Sequence, residues 1–94
     1  MKYEQQLEEL ISLQTKSNED HWVKYFTEAL SLYKSGKENK SYKKVLGAFG
    51  GIGSFNDIGL NFITDEEVER VLEIKELLYS YSKSHKKNTF GFNS

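Results

Sequence analysis

The sequence contains no cysteine and no proline, and it has only one tryptophan and one methionine in 94 residues. Without cysteine it can form no disulfide, no thiol nucleophile and no cysteine-based metal centre. The absence of proline removes the commonest helix breaker. No apolar run approaches the roughly 18–20 residues that a bilayer-spanning helix needs, and the first residues lack the apolar stretch of a secretion signal. We therefore expect a cytoplasmic protein with no membrane contact.

Neither basic nor acidic side chains are in clear excess. Thirteen basic side chains stand against fourteen acidic ones, which leaves a formal net charge of −1. A general nucleic-acid binder usually carries a clear basic excess, because much of its affinity comes from phosphate contacts. Nucleic acid is therefore not an expected partner. The length suits one domain, so we assign residues 1–94 to a single unit.

Apolar residues recur at helical spacing in the first half of the chain. Ser17 and Asn18 offer N-cap oxygens, so a second helix should begin near Asn18. Gly36 is a typical C-cap residue and predicts the end of that helix. A third, shorter helix is predicted from Glu38 to Leu46. The first predicted helix spans residues 2–16, and its buried stripe consists of Tyr3, Leu7, Leu10 and Gln14.

The last helix has the clearest beginning. Thr64 and Glu67 have the spacing of a capping box, in which each side chain bonds the other residue's backbone N–H. The helix should end near Ser84. Its apolar residues form two neighbouring stripes, one of which includes Leu72 and Tyr79. Such a wide apolar surface is typical of a helix that several neighbours cover, or that also meets a partner.

These elements predict an all-α fold, a single compact domain of about four helices with a glycine-rich loop between the third and fourth helices. Residues 86–94 form a C-terminal tail that alternates at period two. Because Phe90 and Phe92 would gain free energy from burial, we expect this tail to be ordered and docked.

The glycine-rich loop, residues 47–57, holds four of the seven glycines. One interpretation is an anion-binding nest of backbone N–H groups. The spacing fits neither the P-loop nor the dinucleotide-binding fingerprint, and the loop follows a helix rather than a strand. The favoured interpretation is a tight structural connection, and we expect no cofactor. The possible anion-binding residues are Gly50, Gly51, Gly53, Ser54 and Asn56.

An acidic line runs along the last helix, made of Glu66, Glu69, Glu73 and Glu76 at 3-4-3 spacing. Carboxylates in the first turn are explained by the positive helix N-terminus, but the later ones repel each other. One interpretation is a surface that recognises a basic partner, and the other is an ordinary solvated face. In the first case Tyr79 and Tyr81 would serve as aromatic anchors for the partner.

A catalytic interpretation would combine His21 as a general base with Ser54 and Asp57. The sequence lacks the Gly-x-Ser-x-Gly elbow that often carries such a serine. The second histidine, His85, lies among lysines and makes a poor metal site with His21. We therefore expect no catalytic residue, no metal site and no enzyme.

One resemblance rests on the pair His21-Trp22 and on the later segment 50–57, which reads Gly-Gly-x-Gly-Ser-x-Asn-Asp. This combination resembles a family of small uncharacterised bacterial domains, over roughly residues 18–62. The resemblance implies an all-helical bacterial domain without an established activity. Small domains of this type are similar to immunity proteins of toxin systems, each of which binds and neutralises one toxin domain.

The leading hypothesis is therefore a protein-interaction module, an immunity protein that neutralises a toxin domain of a bacterial competition system. Its expected partner is a basic toxin domain, which the acidic line would face. The alternative is a small anion- or nucleotide-binding domain that uses the glycine-rich loop. The sequence leaves the oligomeric state open.

Overall fold

The computed structural model describes residues 2–49 and 64–86, and within these ranges it contains four helices and no strand. The prediction of an all-α fold is confirmed for this part of the chain. The predicted glycine-rich loop lies outside the described residues from Gly50 onward, and so does the tail beyond Lys86. The helices are α1 (Tyr3–Lys16), α2 (Asp20–Lys34), α3 (Glu38–Gly47) and α4 (Asp65–His85).

The four helices close into a ring. Helix α1 packs against α2 and α4, and α3 packs against the same two helices from the other side. The Tyr3 ring at the start of α1 lies beside Tyr33 at the end of α2 and beside Tyr81 near the end of α4. Lys16 at the end of α1 bonds Glu67 at the start of α4. Helix α1 therefore runs antiparallel to both neighbours.

Each helix contributes side chains to one continuous core. The stripe predicted for α1 is confirmed, because all four of its residues are buried. Burial of such apolar side chains is the main favourable contribution to the free energy of folding. The side chains that are at most 1% exposed include Leu7, Leu10, Phe26, Ala29, Val45, Val71, Ile74 and Leu78.

The connection between α1 and α2 differs from the prediction. Asn18 does not cap α2; it adopts a left-handed backbone with φ of 57° and ends α1. The Glu19 N–H donates to the Gln14 carbonyl at 3.0 Å, and the Asn18 N–H donates to the Thr15 carbonyl at 3.2 Å. This is the Schellman arrangement, in which asparagine can replace glycine. The Ser17 hydroxyl likewise donates back to α1, so α2 begins at Asp20 without a side-chain cap.

The other predicted helix ends are confirmed. Gly36 has φ of 83° and ends α2 in the same arrangement. The capping box forms as predicted: the Glu67 N–H donates to the Thr64 hydroxyl at 3.1 Å, and the Thr64 N–H donates to the Glu67 carboxylate at 2.9 Å. Helix α4 continues to His85, one residue beyond the predicted end.

Candidate functional site: the outer face of α4

The acidic line of α4 faces solvent along its whole length. Glu66, Glu69, Glu73 and Glu76 are all exposed. The Arg70 guanidinium donates to the Glu73 carboxylate. Within residues 2–49 and 64–86, no ion pair reaches the other three carboxylates. Three of the four predicted residues therefore have no ion pair within the part of the chain that the structure describes.

Two other carboxylates, those of Glu9 and Glu67, belong to the contact between α1 and α4. Arg70 donates two hydrogen bonds to the Glu9 carboxylate, at 2.5 and 2.8 Å, which is the bidentate geometry that arginine favours. These bonds hold the pKa of the Glu9 carboxyl below its usual value. The bond from Lys16 does the same for the pKa of Glu67. The side of α4 that faces α1 is thus charge-matched, unlike the outer side.

Two apolar side chains lie exposed beside the acidic line. Leu72 is 50% exposed and Tyr79 is 39% exposed. They line a cleft of about 450 Å³ together with Phe49, Lys75 and Glu76. The Tyr79 ring meets the Phe49 ring edge-on at a centroid distance of 5.3 Å. We call Glu66, Glu69, Leu72, Glu76 and Tyr79 the outer face of α4.

The sequence places Leu72 on an apolar stripe of the last helix. The pattern alone does not show which residues of that stripe are buried and which are exposed. In the structure the buried side of α4 is formed by Val71, Ile74 and Leu78, and Leu72 points away from it. The width of the apolar surface is the one signal in the sequence that some apolar side chains of α4 are exposed to solvent.

The two predicted aromatic anchors lie in different environments. Tyr79 is exposed, as an anchor must be before the partner binds. Tyr81 is half-buried: its ring stacks on His85 at a centroid distance of 3.8 Å and on Tyr3 at 5.3 Å. Because Tyr81 already packs against its neighbours, we leave it out of the outer face, and its role as an anchor stays a prediction.

The possible anion-binding residues Gly50, Gly51, Gly53, Ser54 and Asn56 lie outside the described residues. Gly47 is the one glycine of that loop within them. A Cβ atom on Gly47 would lie 3.1 Å from the Tyr25 hydroxyl, which donates to the Lys44 carbonyl at 2.6 Å. Gly47 therefore permits a close helix contact, which is a structural role.

The catalytic combination cannot be assembled from the described residues, because Ser54 and Asp57 lie outside them. His21 is exposed in the first turn of α2, and its ring meets Trp22 edge-on at 4.9 Å. Among residues 2–49 and 64–86, no group of three acidic or histidine side chains is arranged to hold a metal ion. None of the helices in the same ranges combines the length and the apolar character needed to cross a membrane.

The described part of the chain thus defines a small all-α protein. In its helix α4, the side that faces α1 is charge-matched and the outer side is acidic. Residues 15–69 match the family described as a domain of unknown function, DUF6966, and the chain belongs to that family. The match runs from the end of α1 through α3 to the first turns of α4, so it includes Glu66 and Glu69. No curated protein and no solved structure matches the chain.

Proposed function

We propose that this protein is a protein-interaction module that binds a basic partner through the outer face of α4. One observation carries the proposal: three exposed carboxylates without an ion pair in the described part of the chain lie next to two exposed apolar side chains. The carboxylates would steer a cationic surface to this face. Leu72 and Tyr79 would supply the apolar contact that holds it there.

The repulsion along the acidic line favours a cationic partner. Exposed carboxylates without an ion pair in the described residues also occur at Asp20 and Glu38, but those of the acidic line follow one another at helical spacing. Along the acidic line Glu69 and Glu73 lie four positions apart, a spacing at which like charges cost about 0.2–0.5 kcal/mol per pair. A cationic partner would remove this repulsion, and its basic side chains would gain ion pairs.

Within this class, the proposed role is that of an immunity protein that neutralises a toxin domain of a bacterial competition system. The small size, the resemblance over residues 18–62 and the acidic outer face support this role. A toxin that acts on nucleic acid needs a basic surface to hold phosphates. An acidic face that covers such a surface would block the toxin by occupying it.

The experiment uses the protein and the product of the neighbouring gene, which the proposal predicts to be a basic toxin domain. The double variant Glu69→Lys/Glu76→Lys should weaken the complex at least about tenfold, because like charges then face each other. We choose this pair because Arg70 already holds Glu73. The growth of cells that express the toxin should no longer be rescued by this variant.

The matched control is Glu8→Lys/Glu28→Lys, which makes the same charge change on α1 and α2. Glu8 forms an exposed pair with Lys34 at 3.7 Å, and the exposed Glu28 lies 3.5 Å from the half-buried Lys44. The loss of such surface pairs costs little stability. Equal weakening by the two double variants would show a nonspecific charge effect. Unchanged affinity in the α4 variant would remove the outer face from the interface.

A further inference from the structure

Five exposed side chains follow one another along α4 at 3-4-3-4 spacing. They are Glu69, Leu72, Glu76, Tyr79 and Lys83. Because this spacing averages about 3.5 residues, it keeps the five side chains on one side of the helix, as in the contact line of a coiled coil. We call these five residues the α4 seam.

Charged and apolar positions alternate along the α4 seam. The carboxylates of Glu69 and Glu76 are seven positions apart, and so are the apolar side chains of Leu72 and Tyr79. Seven positions correspond to about 10.5 Å along a helix. A second helix that packs along the seam repeats its own side chains at the same interval. Such a helix can meet both carboxylates with basic side chains and both apolar residues with apolar ones.

The apolar positions of the α4 seam have room for side chains of a docked helix. Leu72, Glu76 and Tyr79 line the cleft of about 450 Å³, and Phe49 and Lys75 line it as well. Clefts of about 300–1,000 Å³ hold whole small molecules. This cleft can therefore admit an apolar side chain of the docked helix beside Leu72.

The charges at the two ends of α4 favour an antiparallel helix. The first turn of α4 contains Asp65, Glu66 and Glu67, and the last turn contains Lys83 and His85. Helices in general favour acidic side chains near the N-terminus and basic ones near the C-terminus. An antiparallel helix with this distribution brings its basic end to the start of α4 and its acidic end to Lys83, whereas a parallel helix would bring like charges together.

A second copy of α4 suits the seam poorly. When two copies pack antiparallel with Lys83 of one beside Asp65 of the other, Leu72 lies opposite Glu76 and Tyr79 lies opposite Glu69. Each of these carboxylates then loses water to an apolar neighbour and gains no cation. Charge complementarity therefore favours a basic helix of another protein.

We propose that the partner element that binds the outer face of α4 is an antiparallel amphipathic helix. Its two basic side chains, seven positions apart, lie opposite Glu76 and Glu69. Its two apolar side chains, also seven apart, lie opposite Tyr79 and Leu72. This is the helix-in-groove mode of recognition, in which anchors recur at helical spacing. The inference rests on the proposed binding of a basic partner at this face, and it does not require that the partner be a toxin.

The probe is a peptide of eighteen residues, stapled on its outer side so that it is helical by itself. It has glutamate at its first position, leucine at its fifth and twelfth, and arginine at its eighth and fifteenth. The control peptide has the same composition, but both arginines are moved one position along, which turns them about 100° around the helix. Fluorescence anisotropy with the full chain should show saturable binding of the matched peptide. The shifted peptide should bind at least about fivefold more weakly, because both ion pairs are lost.

Double-mutant cycles test the register and the direction. Glu76→Gln should weaken binding of the matched peptide about threefold, and should have no further effect once the eighth-position arginine is replaced with glutamine. Glu69→Gln should be coupled in the same way to the fifteenth position. Glu8→Gln removes an exposed carboxylate of α1 and should bind the peptide as the parent does. Coupling of Glu76 to the fifteenth position and of Glu69 to the eighth would overturn the antiparallel arrangement.

Equal affinity for the matched and the shifted peptide, or no saturable binding of the matched peptide, would overturn the proposal. So would a dimer of the protein that the matched peptide does not dissociate, because a second copy would then cover the seam. The proposed function fails separately. A toxin complex without peptide binding refutes the helix alone, and peptide binding without a toxin complex refutes the immunity role alone.

Discussion

The two sides of α4 carry the same residue types in opposite roles. Leu78 is fully buried, whereas Leu72 is 50% exposed. Glu67 and Glu73 accept bonds from Lys16 and Arg70, whereas Glu66, Glu69 and Glu76 have no ion pair within residues 2–49 and 64–86. One side of the helix therefore contributes to folding, and the other side is not covered by the rest of the described fold. Residue type alone does not distinguish them; position around the helix does.

The largest expected effect compares two leucines of α4. Leu78→Ala should lower the free energy of unfolding by about 2–5 kcal/mol, because it leaves a cavity in the core. Leu72→Ala should change it by less than about 0.5 kcal/mol, since half of that side chain is already in water. Chemical denaturation of both variants measures the difference.

For partner binding, we expect Leu72→Ala to have a more direct effect than Leu78→Ala. Leu72→Ala should weaken binding of the proposed basic partner, while the fold stays intact. A loss of stability in Leu72→Ala as large as that in Leu78→Ala would contradict the assignment of Leu72 to the outer face.

A smaller effect is expected at the contact between α1 and α4. Arg70→Met keeps the apolar stem of the side chain and removes the two bonds to Glu9. The free energy of unfolding should therefore fall by about 1–2 kcal/mol. Glu69→Gln, one position away, should stay within about 0.5 kcal/mol of the parent, because Glu69 is exposed and forms no ion pair with another described residue. Thermal and urea unfolding should agree on this order. Equal losses in the two variants would show that α4 is not divided as described.

The smallest effect is the dependence of stability on pH. The pKa values of Glu9 and Glu67 are lowered from the ordinary 4.5 by Arg70 and Lys16. A group whose folded pKa lies below its unfolded pKa stabilises the fold above the unfolded value, and this contribution is lost as the pH falls through the folded value. Stability should therefore decline below about pH 4.5.

The double variant Glu9→Gln/Glu67→Gln should show a flatter decline in acid than the parent. Glu69→Gln, on the outer face, should follow the parent curve. Urea unfolding across the acid range provides the measurement, and an equally steep decline in the double variant would assign the acid sensitivity to other groups.

Local signals in the sequence predicted most of the helical framework. The capping box at Thr64 and the left-handed turn at Gly36 each depend on a few adjacent residues, and both are confirmed. The prediction that Asn18 caps α2 is wrong, because Asn18 ends α1 instead. Asparagine suits both an N-cap and a left-handed C-terminal position. The choice depends on where the chain must turn, which neighbouring residues alone do not decide.

The candidate site was predictable only in part. The spacing of the acidic line placed its carboxylates on one side of α4, and the structure exposes all four. The bond between Arg70 and Glu73 follows a local spacing of three positions. The bond between Arg70 and Glu9 joins residues that are 61 positions apart, so no local pattern could predict it. The exposure of Leu72 depends on how α1 and α3 pack against α4. Such tertiary contacts decide which part of a wide apolar stripe is covered.

The most direct test of the account is NMR of leucine methyl groups in the protein alone and in the presence of its proposed partner, a basic toxin domain. The account predicts that the Leu72 methyl signals shift strongly, that the Tyr79 ring signals shift with them, and that Leu30 on α2 stays unchanged. Shifts confined to α2, with Leu72 unaffected, would contradict the claim that the outer face of α4 is the binding surface.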